Sequence, residues 1–179
     1  MKHIALLRAV NVGAHQMVAM ADLRALLARL GFDEPQSLLQ SGNLVFGAAR
    51  RSARALELRL ESAARARLGL DTPWYVRTGA EWRSVITRNP FRREADRDPG
   101  HLHVMFLKRT PERARVAALQ AAITGPELVR AGVRHLYITY PDGAGRSRLT
   151  NAVIERAIGI TGTARNWNTV RKLHALVNG

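Results

Sequence analysis

Two short polar segments near the start of the chain combine residue types that bind anions. Each residue of this group has a side-chain or backbone group that can donate a hydrogen bond. The residues are Arg8, Asn11, Gly13, Gln40, Ser41 and Asn43. An arginine and several amides beside a loop that leads into a helix can hold a phosphate or a carboxylate, because free backbone N–H groups and the helix dipole favour an anion. Asn and Ser in turns also satisfy their own backbone. These residues therefore predict either an anion site or the chemistry of two tight turns.

A second group of candidate ligand-binding residues lies near the end of the chain. A helix from about Arg165 to Val177, capped by Thr163, would place basic and amide side chains near one face. The candidates in this segment are Arg165, Asn166, Trp167, Asn168 and Lys172. Trp167 would either stack on a nucleic-acid base or anchor the helix to the body of the protein.

Three isolated residues could also carry chemistry. His101 and His103 alternate along a predicted strand, so both point to one face and could hold a metal, or they mark the polar end of a strand. No third ligand lies at a suitable spacing, so we expect no metal and no cofactor. Ser147, between two arginines, is interpreted as a helix N-cap, with a nucleophile or a phosphate contact as the alternative.

Standard catalytic motifs are missing from the sequence. It contains no phosphate-binding GxxxxGK[ST] loop, no GxGxxG after a strand, no HExxH and no GxSxG. The few acidic residues form no obvious pair for general acid and base catalysis. No catalytic residue is identified, and whether the chain is an enzyme stays open.

The elements that position the first cluster are organised around a hairpin at Leu38 to Phe46, where Gly and Asn tolerate the positive φ of a tight turn. The first half follows the order β-α-β-β-α-β of a ferredoxin-like domain. In that arrangement strands one and three are adjacent and antiparallel. The loop at Asn11 to Gly13 and the turn at Ser41 to Asn43 should therefore be neighbours.

The second half starts the same pattern again. Strand, helix and paired-strand patterns recur from His101, and a final helix follows. The fold class predicted is therefore α+β, with two ferredoxin-like halves that have antiparallel sheets and an extra C-terminal helix. The boundaries are a first half at 1–78, a connecting helix and charged linker at 79–100, and a second half at 101–179.

Charge is the unusual feature of the composition. The 179 residues include 28 basic and 14 acidic ones, which gives a formal net charge of +14. That balance predicts attraction to polyanions, namely nucleic acid, phosphorylated metabolites or an anionic membrane. Only three of the basic residues are lysines, namely Lys2, Lys108 and Lys172, and an arginine-rich and alanine-rich composition also follows from a GC-rich coding sequence.

The absence of cysteine excludes disulfides and thiolate metal sites. The first apolar run is interrupted by Arg8, and no uncharged apolar run reaches the roughly 18 residues that a membrane span needs. We therefore expect a cytoplasmic protein that does not bind membranes.

Five short blocks occur in a characteristic order along the chain. They are LLRAVNVG at Leu6 to Gly13, LQSGNLVF at Leu39 to Phe46, NPF at Asn89 to Phe91, LHVMFL at Leu102 to Leu107, and ARNWNTVRKL at Ala164 to Leu173. Together they resemble the uncharacterised bacterial family DUF1697 over essentially the whole chain. The resemblance implies a two-part α+β protein with ferredoxin-like halves, and it implies no activity.

These observations predict a cytoplasmic binding protein for an anionic partner, with nucleic acid as the first candidate. The alternative is an enzyme or sensor for a small phosphorylated or carboxylated metabolite, built at Arg8, Asn11, Gln40 and Ser41. A third possibility is an interaction module that dimerises through a sheet edge. The oligomeric state stays open.

Overall fold

The computed structural model describes residues 1–12 and 16–178, in which eight strands and seven helices are found. The strands are β1 (Lys2–Leu7), β2 (Asp33–Leu38), β3 (Asn43–Gly47), β4 (Trp74–Thr78), β5 (Leu102–Leu107), β6 (Leu128–Gly132), β7 (His135–Thr139) and β8 (Gly162–Asn166). The helices are α1 (Met20–Arg29), α2 (Ala53–Leu68), α3 (Gly79–Thr87), α4 (Arg92–Arg97), α5 (Arg113–Ala122), α6 (Asn151–Ile158) and α7 (Trp167–Asn178).

The strands form two four-stranded antiparallel sheets with the same internal order. The first sheet has the order β2-β3-β1-β4 and the second has the order β6-β7-β5-β8. Strands one and three of each half are therefore adjacent and antiparallel, as the β-α-β-β-α-β order predicts. The α+β class with two ferredoxin-like halves and a C-terminal helix is confirmed.

Two compact units, each with its own hydrophobic core, divide the chain. The first contains residues 1–84 together with the C-terminal residues from Leu173, and the second contains Val85–Lys172. Each core lies between the helices and one face of its sheet, because apolar residues recur every three or four positions on the helices and every two on the strands.

Helix α2 illustrates how local sequence sets an element's limits. The Ser52 side chain accepts a hydrogen bond from the Ala55 backbone N–H at 3.2 Å, and Gly69 ends the helix with φ +62°. Leu56 and Leu60 are fully buried one turn apart on its inner face. The N-cap serine, the apolar spacing and the terminal glycine together set the limits of this helix.

The charged segment predicted as part of the 79–100 connection contains a short helix, α4. Two local predictions are wrong. Ser147 does not cap α6, because the cap is Thr150, whose hydroxyl accepts from the Val153 N–H at 3.3 Å. The helix expected from about Arg165 begins at Trp167 instead, because the preceding five residues form strand β8 against β5.

One edge strand of each sheet, β4 or β8, has backbone N–H groups that donate to carboxylates. On α2, Glu57 and Glu61 accept hydrogen bonds from the β4 N–H groups of Val76, at 2.8 Å, and Trp74, at 2.9 Å. In the second unit Glu155 on α6 accepts from the Gly162 N–H at 3.0 Å. These bonds occupy N–H groups that an added strand would need. Within the described ranges, all helices are too short or too polar to cross a membrane.

Candidate functional site

The first loop and the first hairpin meet at the side chain of Asn11. Its Nδ2 donates to the Val18 carbonyl at 2.9 Å and to the Gln40 carbonyl at 2.7 Å, while its Oδ1 accepts from the Val18 N–H at 2.8 Å. The predicted meeting of loop and hairpin is therefore confirmed at Asn11 and Gln40. Both amide hydrogens are donated to backbone carbonyls, so this side chain closes the loop.

The hairpin turn has a similar internal organisation. Asn43 is fully buried, and its Nδ2 donates to the Leu38 carbonyl at 3.0 Å and to Ser41 Oγ at 2.9 Å. Gly42 has φ +72°, and a Cβ added there would lie 2.6 Å from a methyl of Val10. The amide thus stabilises the turn, and the glycine allows the first loop to approach it closely.

The remaining members of the first cluster differ in their setting. Arg8 is partly buried, and its backbone carbonyl accepts from the Thr72 hydroxyl at 2.6 Å. Gln40 is exposed. Gly13 lies outside the described residues. An anion contact by this cluster stays a prediction, and its two asparagines already bind the backbone of the turns.

The second predicted cluster is divided between a strand and a helix. Arg165 lies on β8, where its Nη1 donates to Thr163 Oγ1 and to the Ala164 carbonyl, both at 2.8 Å, and burial lowers its pKa to about 10. Asn166 caps α7 by accepting from the Thr169 N–H at 3.0 Å. Trp167 is only 4% exposed. Asn168 and Lys172 are exposed on α7, whereas Arg165 lies on β8, so the predicted common helical face does not form.

Two of the five sequence blocks, NPF and ARNWNTVRKL, lie close together in the second unit. They line a cleft of about 460 Å³ that includes Asn89, Arg92, Trp167 and Arg171. Asn89 is buried, and its Oδ1 accepts from the Phe91 N–H at 2.9 Å, which fixes the turn that starts α4. Asp96 also lines the cleft, so its charges are mixed. Sequence analysis missed Asn89 and Arg92 as neighbours of Trp167, because the contact depends on tertiary packing.

A second cleft, in the first unit, has only basic charged side chains. We call it the basic cleft; it measures about 580 Å³ and its charged lining residues are Lys2, Arg50, Arg51 and Arg83. Arg50, Arg51 and Arg83 are exposed, and Arg83 donates to the Asn178 side-chain oxygen at 3.1 Å. No acidic side chain is among its described lining residues.

The sheet register brings these four basic residues together. Lys2 at the start of β1 pairs with Gly47 at the end of β3, three residues before Arg50, and His3 pairs with Thr78, the last residue of β4. Arg83 then follows on α3. Sequence reasoning missed the basic cleft, although the predicted antiparallel pairing of strands one and three places Lys2 and the Arg50-Arg51 pair at one end of the sheet.

The first turn of α3 beside this cleft is already capped. The Thr78 N–H donates to Glu81 Oε2 at 2.8 Å, and the Glu81 N–H donates to Thr78 Oγ1 at 3.1 Å. This reciprocal pair is a capping box. An anion in the basic cleft would therefore be held mainly by the four cationic side chains.

Every aromatic ring of Phe, Tyr and Trp is buried. The ten side chains are all at most 8% exposed, and they are Phe32, Phe46, Trp74, Tyr75, Trp82, Phe91, Phe106, Tyr137, Tyr140 and Trp167. Stacking on bases needs an exposed ring. None of these ten rings is placed for such stacking.

The histidines that the structure describes lie outside any cluster of metal-binding side chains. Among residues 1–12 and 16–178, no group of three or more His, Asp or Glu side chains is placed to hold an ion. His101 Nδ1 lies 2.7 Å from Asp98 Oδ2. Burial lowers the pKa of His103, whose ring packs edge-on against Tyr140.

Comparison with known proteins finds a matching family model and a similar solved structure. The model of a family described as a protein of unknown function, DUF1697, matches residues 1–137. The conserved bacterial protein SP0830 from Streptococcus pneumoniae has a similar structure, with 20% sequence identity, 98% of each chain covered and a TM-score of 0.77. At that identity the likeness shows the fold alone. A comparison with curated proteins gives no match.

Proposed function

The chain belongs to the DUF1697 family, whose function is unknown, and we propose that it binds nucleic acid through the phosphate backbone at the basic cleft. The observation that supports this proposal is the convergence of Lys2, Arg50, Arg51 and Arg83 on one cleft, whose described lining residues include no acidic side chain. Phosphate oxygens are the natural partners of such a surface, because each neutralised phosphate releases condensed counterions. The net charge of +14 adds long-range attraction to any polyanion.

The mode of binding follows from the burial of the aromatic residues. Because all ten Phe, Tyr and Trp rings are buried, none of them offers a platform on which bases could stack, and contacts to the nucleic-acid backbone carry no sequence information. Binding should therefore be independent of sequence and strongly dependent on salt.

A fluorescence titration with labelled single-stranded and double-stranded oligonucleotides of one length, over a series of salt concentrations, tests the proposal. The variant replaces Lys2, Arg50, Arg51 and Arg83 by Gln. The matched control replaces four exposed arginines outside the cleft by Gln, namely Arg29, Arg67, Arg113 and Arg156. Both variants lose four positive charges, so net charge is the same and only the position of the charge differs.

The proposal requires the cleft variant to bind much more weakly than the control. Equal weakening of both variants would mean that total charge alone attracts the oligonucleotide. Absence of binding by the parent protein at low salt would exclude nucleic acid as the partner.

The alternative, an enzyme or sensor for a small phosphorylated or carboxylated metabolite at the first loop and hairpin, has less support. Two of its four residues already bind within the turns: Asn11 donates both amide hydrogens to backbone carbonyls, and Ser41 Oγ accepts from the Asn43 amide at 2.9 Å. Titration of the cleft variant with inorganic phosphate separates the two ideas, since a small-anion site at the hairpin would still bind phosphate after the four cationic side chains of the cleft are replaced.

A further inference from the structure

We propose that the second unit contains a separate binding site for a small zwitterion with an apolar body, of the α-amino acid class. The site is a cavity of about 440 Å³, which we call the Glu127 cavity. Its volume lies within the range of small-molecule pockets. The residues on which the argument depends are Glu127, Arg146, Arg148, Leu119, Ile123 and Val153.

A buried carboxylate is the central feature of the cavity. Glu127 is 9% exposed, and its Oε1 accepts a short hydrogen bond from the Ser147 hydroxyl. Ser147 is held in turn, because its Oγ accepts from the Leu149 N–H at 3.0 Å. The other oxygen, Oε2, lies against Gly125, where an added Cβ would be 2.2 Å away.

Glu127 lacks a cationic partner in the described part of the chain. A buried carboxylate is costly unless it is paired with a positive charge or bound by several donors. One hydroxyl donor supplies only part of that compensation. An ammonium group entering the cavity would supply the rest.

Two arginines line the same cavity. Arg146 and Arg148 are both exposed, and neither forms an ion pair with another described residue. A guanidinium binds a carboxylate through two parallel hydrogen bonds. These side chains therefore suit the acidic group of the same ligand.

The formal charge of the cavity distinguishes it from the basic cleft. Glu127 and Asp142 oppose Arg146 and Arg148, so the lining is balanced in a chain of net charge +14. A simple anion would be repelled by the buried carboxylate, and a simple cation would be repelled by the arginines. A ligand that carries both charges meets neither penalty.

One wall of the cavity is apolar. Leu119, Ile123 and Val153 contribute aliphatic surface, and Val153 is 39% exposed on α6. An aliphatic or aromatic side chain of the ligand would cover this surface and remove it from water. The combination of one buried acid, two arginines and an apolar wall points to an amino acid with an apolar side chain.

Isothermal titration calorimetry of the full chain near pH 7 tests the inference. The probes are L-leucine, L-methionine and L-phenylalanine, together with L-leucinamide, which lacks the carboxylate, and 4-methylpentanoate, which lacks the ammonium group. At least one amino acid should bind at millimolar concentration, and leucinamide and 4-methylpentanoate should each bind at least about tenfold more weakly than L-leucine.

Three variants locate the binding. Glu127→Gln keeps the size of the side chain and should weaken amino acid binding by at least about tenfold. The exposed double variant Arg146→Gln, Arg148→Gln is not expected to affect folding, and it should bind leucine and leucinamide equally. Arg156→Gln, an exposed change on α6 outside the cavity lining, should bind as the parent does.

The inference is overturned if none of the three amino acids binds, or if leucine and leucinamide bind the parent protein equally. It is also overturned if the double arginine variant still discriminates between them as the parent does. None of these measurements involves nucleic acid, so the outcome is independent of the function proposed for the basic cleft.

Discussion

Asn11 donates a hydrogen bond of 2.7 Å from its side-chain amide to the backbone carbonyl of Gln40, 29 residues away. The bond ties the loop after β1 to the turn between β2 and β3. Asn11 also has φ +55°, a left-handed conformation in which asparagine is tolerated better than most residues. One residue thus supplies both the backbone geometry of the loop and its attachment to the hairpin.

Replacement of Asn11 by Ala should lower the free energy of unfolding by about 1–3 kcal/mol, because it removes three side-chain hydrogen bonds. Alanine is also less favourable than asparagine at positive φ, because it has no polar side chain that can hydrogen-bond to the local backbone. Urea denaturation measures the change. Asn11→Gly keeps the permitted backbone and loses only the hydrogen bonds, so it should lie between the parent and Asn11→Ala. Equal stability of all three proteins would contradict the structural role.

Alanine substitutions at Gly42 and Gly69 separate the cost of a steric clash from the cost of holding alanine at positive φ. Both have positive φ, but a Cβ at Gly42 would lie 2.6 Å from Val10 and 2.8 Å from Leu7, whereas nothing lies within 4 Å of one at Gly69. Gly69→Ala should cost about 1 kcal/mol, and Gly42→Ala about 1–3 kcal/mol more. Thermal and urea unfolding of the two variants checks the difference. Equal destabilisation by Gly42→Ala and Gly69→Ala would mean that the loop around Val10 moves to accommodate the added methyl group at little cost.

The acceptor at Glu57 should make a large contribution to stability. Its carboxylate is buried, accepts from the Val76 N–H at 2.8 Å and lies 3.9 Å from Arg77 Nη1. Glu57→Ala should lower the free energy of unfolding by about 2–4 kcal/mol, since a charged hydrogen bond and a neighbouring buried charge are both affected. Glu57→Gln retains an acceptor and should cost less. Light scattering on both variants would also show whether opening the β4 edge leads to association.

Binding of double-stranded oligonucleotide should show a measurable salt slope. If all four cations of the basic cleft contact phosphates, log Kobs against log salt concentration should have a slope of about −3.6. The cleft variant should lose most of this slope, while the control with four substituted arginines elsewhere should retain it. A slope near zero for the parent protein would contradict phosphate contacts.

Stability should decrease as the pH falls below about 6.5. His3 is fully buried, and burial lowers its pKa from the ordinary value of 6.5, as burial also does for His103. Between the lowered value and 6.5 the unfolded chain binds more protons than the folded one, so the free energy of unfolding rises with pH in that window and falls as acid is added. His3→Gln should weaken this dependence in urea denaturation at a series of pH values. If the pH dependence of the free energy of unfolding is unchanged in His3→Gln, other titratable groups cause it.

Much of the fold could be predicted from the sequence because its signals are local. The spacing of Leu23, Leu26 and Leu27 defines α1, and Ser52 with Gly69 defines α2. The order of elements then restricts the sheet to one arrangement, and the neighbourhood of Asn11 and Gln40 follows from it. Strand β8 escaped prediction because GTARN carries no apolar alternation, and only its pairing with β5 makes it a strand.

The sequence by itself determined the α+β class, the repeated β-α-β-β-α-β order and the positive charge, since periodicity, capping residues and composition are properties of short segments. Only the tertiary structure decided which polar residues share a site. Lys2 and Arg83 are far apart in sequence but both line the basic cleft, and Glu127 and Arg148 both line the Glu127 cavity. Sheet register and helix packing bring the members of each pair together. The physical reason is that burial and long-range contact depend on how elements pack, and no single segment contains that information.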